Sequence, residues 1–359
     1  MTTLTINPSH IPPLAGKTAL LTGGSSEITL STALLLAEKG CSKVVILDPE
    51  HKESLMAAES NSDPSIPACM TFLKVDVRKW KELKNAVEGL KEVDYAFYVP
   101  GPERVLFEVG GEGDDYDGDG DDGVGMDWAT EVRAVGNFVR VCWGVMARSQ
   151  GAAGAKGKKD GKGKGGGVVV CVPGGVGGYM ACHVLPPGGM PGEGVMDGCA
   201  GSAILGMIRS LRTVTIQDGV TINGVALGPI VSSASSLVPP TTPLPPLTPG
   251  IQLEPLPIKT ADEVALALVF SATATQKRKV DVYGKEKDSD IFSTNEEDRK
   301  WNGRVILTAG TSPMKYTEVE EGLADLRGWW LGRENVKMVR MQQAVGDFRP
   351  FEVDHRWEF

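Results

Sequence analysis

The sequence predicts an α/β protein built on a doubly wound parallel sheet, because strand and helix patterns alternate from Lys17 onward. Two further observations point the same way. The strand segments are nearly continuous apolar runs, as expected for strands covered on both faces. The first of them, KTALLTGG, passes through a glycine turn directly into a helical pattern.

The elements follow in order. After the strand at Lys17–Gly24, the helix LSTALLLAEKG ends at Gly40, a residue suited to a left-handed C-terminal position. KVVILDPE is the second strand and ends in Asp48; MTFLKVDV is the third and ends at Asp76 and Val77. DYAFYVPG is the fourth, ending at Gly101, and a long helix is expected from about Trp128 to Arg148. GGVVVCVPGG is the fifth strand, a second long helix begins near Asp197, VTINGVALGPIVS is the sixth strand, and NGRVILTAG is the last. A domain over 17–310 results, with a 1–16 arm, a 311–359 extension, and insertions at about 108–125, 150–166, 233–258 and 284–300.

Composition excludes several roles. With 359 residues the chain buries a full core, and its formal charge of −9 argues against a nucleic-acid surface. No run reaches the roughly 18 apolar residues of a membrane helix, and the N-terminus shows no export pattern, so a cytoplasmic location with no membrane partner is expected. Six cysteines without a CxxC pair read as reduced core thiols. The acidic glycine-rich loop partly mimics a calcium loop at Asp115, Asp117, Asp119 and Gly120, but Met126 stands where the closing Glu is needed, so no metal is expected. The basic glycine-rich insertion reads as a surface loop, the proline-rich excursion at 233–258 as a pocket wall, and the tail with Trp329, Trp330, Trp357 and Phe359 as packing on the core or a second subunit.

These marks together resemble the short-chain dehydrogenase/reductase family over about Lys17 to Gly310. The residues concerned are TGGSSEIT beside the family's TGxxxGxG, the Leu-Asp ending strand two, VDV at 75 to 77, YVPG at 98 to 101, GGVVVCVPGG and INGVALGPI. The resemblance implies a Rossmann-like fold and a dinucleotide site at Gly23, Ser25, Glu27, Ile28, Asp48, Asp76, Val77 and Gly101. It also implies a homodimer or homotetramer assembled through the two long helices. Members of the family transfer hydride with NAD(P), using a Ser, a Tyr, a Lys and a helix Asn.

This sequence departs from that pattern at each point of the chemistry. RAVGNF places Arg133 at the Asn position; DGCAGSAILGMIRSL places Asp197 at the Tyr position and Gly201 at the Lys position; the Ser position falls near Gly174. Tyr179 and His183 offer a substitute pair in a Gly/Pro-rich loop. In the turn, Gly23 stays but Glu27 and Thr29 replace the other two glycines. Charge at 27 opposes a pyrophosphate while favouring the helix N-terminus, and bulk at 29 is expected to push the helix outward.

Arg133 and Asp197 are expected to face one pocket, where a carboxylate moves a proton and a guanidinium holds a carbonyl. Arg for Asn and Asp for Tyr is similar to the pattern in fungal alkaloid-pathway members of this family that promote intramolecular Diels–Alder ring closure. The resulting expectation is a cyclase or isomerase acting on a hydrophobic small molecule of secondary metabolism. No cofactor is required on this reading, NAD(P) affinity being weak or residual. The alternatives are an NAD(P)-dependent reductase using displaced groups such as Tyr179 and His183, and a catalytically silent binding or scaffold subunit using its tryptophan-rich tail; in a dead enzyme Arg133 and Asp197 form an inert buried pair.

Overall fold

The computed structural model describes residues 2–24, 26–49, 67–100, 127–154, 166–172, 192–227, 230–231, 259–279, 296–308 and 313–320. In chain order the strands are β1 (Thr2–Thr5), β2 (Thr18–Leu21), β3 (Lys43–Asp48), β4 (Met70–Lys74), β5 (Tyr95–Tyr98), β6 (Gly167–Val172) and β7 (Thr221–Ala226). They continue with β8 (Ile230–Val231), β9 (Lys259–Thr260), β10 (Thr275–Lys279), β11 (Glu296–Lys300), β12 (Val305–Leu307) and β13 (Lys315–Glu318). The helices are α1 (Glu27–Glu38), α2 (Trp80–Gly89), α3 (Asp127–Gly154), α4 (Gly192–Thr215) and α5 (Ala261–Thr273).

A 9-stranded sheet has the order β1-β13-β12-β7-β6-β5-β2-β3-β4. From β12 across to β4 every pairing is parallel, whereas β13 and β1 are antiparallel additions at one edge. The strand order reverses between β2 and β5, which places the crevice of a doubly wound sheet at the ends of those two strands.

Each sheet face has its own core. Ala33 and Leu36 of α1 pack with Val264, Leu268 and Ala272 of α5 over one face, together with Ile46, Phe97 and Ile306. Leu83 and Val87 of α2, Phe138 and Cys142 of α3, and Ile204 and Ile208 of α4 cover the other, over Leu20, Ala96 and Val170. The alternation of strand side chains between the faces explains why these runs are apolar throughout. Helix α5 is buried almost all round because it packs on the sheet and along α1, which covers the same face beside it, and a reciprocal cap between Thr260 and Glu263 starts it.

Several expected boundaries shift. Helix α3 continues to Gly154, into the segment read as an insertion, and α4 begins at Gly192, so Asp197 lies in its second turn rather than at its start. Strand β4 ends at Lys74, before Asp76 and Val77. The sheet also crosses both ends of the expected 17–310 domain: β1 belongs to the arm and β13 to the extension. Part of the insertion expected at 284–300 is strand β11, paired with β10. The acidic loop with Asp115, Asp117, Asp119, Gly120 and Met126, most of the basic loop, the proline-rich excursion and the tryptophan-rich tail lie outside the described residues. Among the described residues no helix is long and apolar enough to cross a membrane, and no group of side chains is arranged to hold a metal ion.

Candidate functional site

The crevice at the β2/β5 ends is stitched shut at its floor by Thr22. Its N–H donates to the Phe97 carbonyl at 3.0 Å, its hydroxyl donates to the Val99 carbonyl at 2.8 Å, and that hydroxyl accepts the Val99 N–H at 2.9 Å. The chain then turns through Gly23 and Gly24, whose φ angles of 91° and 50° lie in the region that favours glycine. A Cβ on Gly23 would stand 2.7 Å from the Thr29 Oγ1 and 2.8 Å from the Val99 carbonyl. A Cβ on Gly24 would stand 2.5 Å from the Asp48 Cγ. Both glycines are therefore required by the packing of the turn itself.

Ser26 caps α1, accepting the Thr29 N–H at 3.3 Å. Thr29 is fully buried, and its hydroxyl lies 2.9 Å from the Thr22 carbonyl and 2.8 Å from the Ser26 Oγ. A hydroxyl has one proton, and Thr29 gives it to the carbonyl, so Ser26 is the donor between the two. The chain Ser26 to Thr29 to Thr22 ties the helix start to the strand end. The outward push expected from the bulk at 29 does not occur: α1 stays packed on the sheet because this hydroxyl exchanges steric contact for hydrogen bonds.

Glu27, half-buried, is the first residue of α1 and adds a negative charge where the helix N-terminus favours one. Ile28 packs its side chain on the α1/α5 core. Asp48 is 4% exposed at the end of β3, with its carboxyl group behind Gly24. Asp76 is engaged elsewhere: Arg78 donates to it through Nε at 2.9 Å, Nη2 at 3.2 Å and its backbone N–H at 3.0 Å. The N–H of Asp76 itself donates to Glu82 Oε2 at 3.2 Å. Burial alone raises the Asp76 carboxyl, but the bonds and charge of Arg78 outweigh it and hold the carboxyl below its ordinary value. Val77 packs against the core on the α2 side.

Toward a dinucleotide the turn is thus divided. Gly23, Gly24 and Asp48 keep a shape that fits one; Glu27 sets charge against a phosphate, and Asp76 is already held by Arg78. Ser25 and Gly101 lie outside the described residues.

The expected catalytic pair sits on neighbouring helices. Helices α3 and α4 pack together, with the Met207 Cε 3.5 Å from the place of a Cβ on Gly136 and Trp143 Nε1 donating to Asp218 Oδ2 at 2.9 Å beyond the end of α4. Arg133 is exposed in the second turn of α3. It shares a stripe with Arg140, two turns on, whose guanidinium lies 5.2 Å over the Trp80 ring of α2. That stripe is opposite Val135, Phe138 and Cys142, so Arg133 starts from the outer side of its helix. Asp197 is placed by its backbone in the second turn of α4; its side chain lies outside the described residues, as do Gly174, Tyr179 and His183. Gly201, one turn further along α4, is buried and brings no amine to the site.

Sequence reasoning missed Thr22, Ser26 and Arg78. Ser26 was legible as a cap residue immediately before an acidic first turn, and Arg78 as a partner two residues after an Asp; the role of Thr22 depends on a strand 77 residues away.

The sequence profile of the short chain dehydrogenase family matches residues 17–94. The chain is 35% identical over 363 residues to the short-chain dehydrogenase/reductase ATR7 of Stachybotrys chlorohalonatus, covering 97% of this chain and 95% of that protein. It is 33% identical over 353 residues to the short-chain dehydrogenase/reductase prx4 of Penicillium rubens, covering 97% of this chain and 90% of that protein. Among solved structures, gox2181 superposes with a TM-score of 0.50 at 18% identity, covering 74% of this chain and 92% of that one, which is a likeness of fold. With that strand order, that glycine turn and full-length relatives of this identity, the chain belongs to the short-chain dehydrogenase/reductase family.

Proposed function

We propose that this protein is a non-redox enzyme of fungal secondary metabolism, closing a ring in or isomerising a hydrophobic small molecule, without a requirement for NAD(P). The observation that carries the reading is the rebuilt turn. The Ser26–Thr29–Thr22 hydroxyl chain holds the helix start without a ligand, and Glu27 supplies the negative charge a phosphate would otherwise bring. The relay of a hydride-transferring member is also replaced at every position, by Arg133, Asp197, Gly201 and a residue near Gly174.

In this reading the pocket lies at the C-terminal ends of the strands. Holding a flexible substrate in its cyclised shape supplies most of the acceleration, since the entropy of ring closure is spent on binding. Asp197 takes or returns a proton at the reacting carbon framework, and Arg133, although it starts from the outer side of its helix, holds a substrate carbonyl with a side chain long enough to curl toward the pocket mouth. A homodimer or homotetramer in the cytoplasm fits the same reading.

The second reading, an NAD(P)-dependent reductase with displaced groups such as Tyr179 and His183, is favoured by the left-handed Gly23 and Gly24 and by the carboxyl of Asp48 behind them. Calorimetric titration with NAD⁺, NADH, NADP⁺ and NADPH separates the two. No heat up to millimolar concentration for the wild type, with binding gained in the Glu27→Gly/Thr29→Gly double variant, supports the first. Micromolar binding by the wild type establishes the second. Once a substrate is in hand, Asp197→Asn is expected to lower kcat by about 10²–10⁴; turnover at the wild-type rate would remove Asp197 from the mechanism.

A further inference from the structure

At the end of the sheet away from the crevice, the strand starts gather a second group of ionisable side chains that the proposed chemistry leaves unused. Lys17 precedes β2, Asp94 precedes β5, Tyr95 opens β5, and Lys300 closes β11 opposite Thr275 of β10. The Trp301 N–H donates to the Ala274 carbonyl at 2.9 Å, which fixes the chain just after Lys300 against the end of α5.

Within this group Asp94 is already engaged. It accepts from Lys17 Nζ at 2.7 Å and from the Thr18 N–H at 3.0 Å. Lys300 Nζ lies 5.5 Å from the centre of the Tyr95 ring. Burial, with Asp94 adding to it, pushes the Tyr95 phenol up to about 12, so the ring meets the amine as a neutral face. The Lys300 side chain is half-buried, open to a small reagent but poorly hydrated. That place disfavours its charged form: burial pushes the amine below the ordinary lysine value, the Lys17 ammonium pushes the same way, and Asp94, bonded to Lys17, opposes them less strongly.

We propose that Lys300 is a covalent modification site, which takes a small acyl group from an acyl thioester such as acetyl-coenzyme A. A lysine amine becomes a nucleophile when it is desolvated beside a second cation, and both conditions meet here. The neutral amine adds through its lone pair to the thioester carbonyl carbon. A C–N bond forms, the C–S bond breaks, and the thiolate leaves with the proton that the nitrogen gives up, so no oxidant or reductant takes part. The product is an uncharged amide: it ends the repulsion with Lys17 and sets a methyl group against the Tyr95 ring where the ammonium stood. Half-burial confines the site to small acyl groups.

The full chain incubated with acetyl-coenzyme A between about pH 7 and about pH 9, then digested and followed by mass spectrometry at each lysine, tests this. Lys300 is expected to acetylate several-fold faster than the exposed Lys43 and Lys91, and to reach its limiting rate at lower pH. Lys17→Gln is expected to slow Lys300 and leave Lys43 and Lys91 unchanged. Lys17→Arg, which keeps both the charge and a partner for Asp94, is expected to hold the wild-type rate. Acetylation of Lys300 no faster than that of Lys43 and Lys91 overturns the proposal. So does an equal Lys300 rate in the wild type and in Lys17→Gln, which would detach its reactivity from the cluster. If Lys17→Gln does not fold, the wild-type pH profile decides alone: a Lys300 rate rising in step with those of Lys43 and Lys91 overturns the proposal.

Discussion

The turn after β2 and the edge formed by β12, β13 and β1 solve one problem in opposite ways. Both bury polar groups between segments far apart in sequence. The turn uses neutral hydroxyls: Thr22, Ser26 and Thr29 satisfy one another and the Val99 backbone. The edge uses full charges: Arg304 and Glu318, 4% and 2% exposed, pair at 3.3 Å, and Arg209 of α4 grips Glu320 through Nε and Nη2 at 2.6–3.2 Å. A hydroxyl chain fixes backbone geometry and leaves the local field to Glu27. A buried ion pair fixes which segments meet, at a cost that appears when one partner is lost.

The largest expected effect therefore lies at the edge, far from the crevice. Glu318→Leu takes the carboxylate away from the buried Arg304 guanidinium and the acceptor away from the Glu320 N–H, and should lower unfolding free energy in urea by about 3–5 kcal/mol. Removing both charges, as Arg304→Met/Glu318→Leu, should recover most of that loss. A single variant as stable as the wild type would show that the edge contributes little and that the two regions do not differ in the way described.

At the turn the effect is smaller because no buried charge loses a counter-charge. Thr29→Val keeps the shape but leaves the Thr22 carbonyl without its donor, a loss of about 1–3 kcal/mol. Thr29→Ser keeps the hydroxyl and should cost less. If Val and Ser variants unfold at the same urea concentration, the hydroxyl chain does not hold the turn. Reactivity adds a cheaper check on the cores beside it. Burial pushes the Cys142 and Cys171 thiols well up, and both are inaccessible, so neither should react with a thiol reagent until the protein unfolds.

The parallel core of the fold was legible because its strands are long apolar runs separated by turn residues, a pattern set by burial on both faces. Strands β1 and β13 were not, since Thr2–Thr5 and Lys315–Glu318 are short, polar segments that become strands only by pairing with each other and with β12. Helix α5 was passed over for a related reason: ADEVALALVFSAT is apolar on every side and shows no helical stripe. Of the site, the substitutions at 27 and 29 could be read, but the consequence at 29 was inverted. Side-chain volume suggested displacement, whereas the Thr29 hydroxyl finds the Thr22 carbonyl, a partner visible only once the turn is folded.

The smallest effect concerns Glu263, where α5, the arm and the extension meet. Its carboxylate accepts from Lys259 Nζ at 3.0 Å, from the Thr260 N–H at 3.1 Å and from the Met314 N–H at 3.1 Å, while its carbonyl accepts from the Tyr316 hydroxyl at 2.8 Å. Burial raises this carboxyl, but those donors and the Lys259 charge outweigh it and leave it below the ordinary glutamate value. A carboxyl lowered by folding is more often protonated in the unfolded chain, so its contribution is complete above the unfolded value of about 4.3 and disappears as pH falls through the folded one. Wild-type stability should therefore drop with acid below about pH 5, and Glu263→Gln should start lower at pH 7 and follow a shallower slope. The group is partly solvated, so the difference in slope should be modest beside the loss from Glu318→Leu. Equal slopes in the two proteins would mean that the junction is held by the Tyr316 bond and by packing, and that charge shapes only the Arg304–Glu318 and Arg209–Glu320 contacts of the edge.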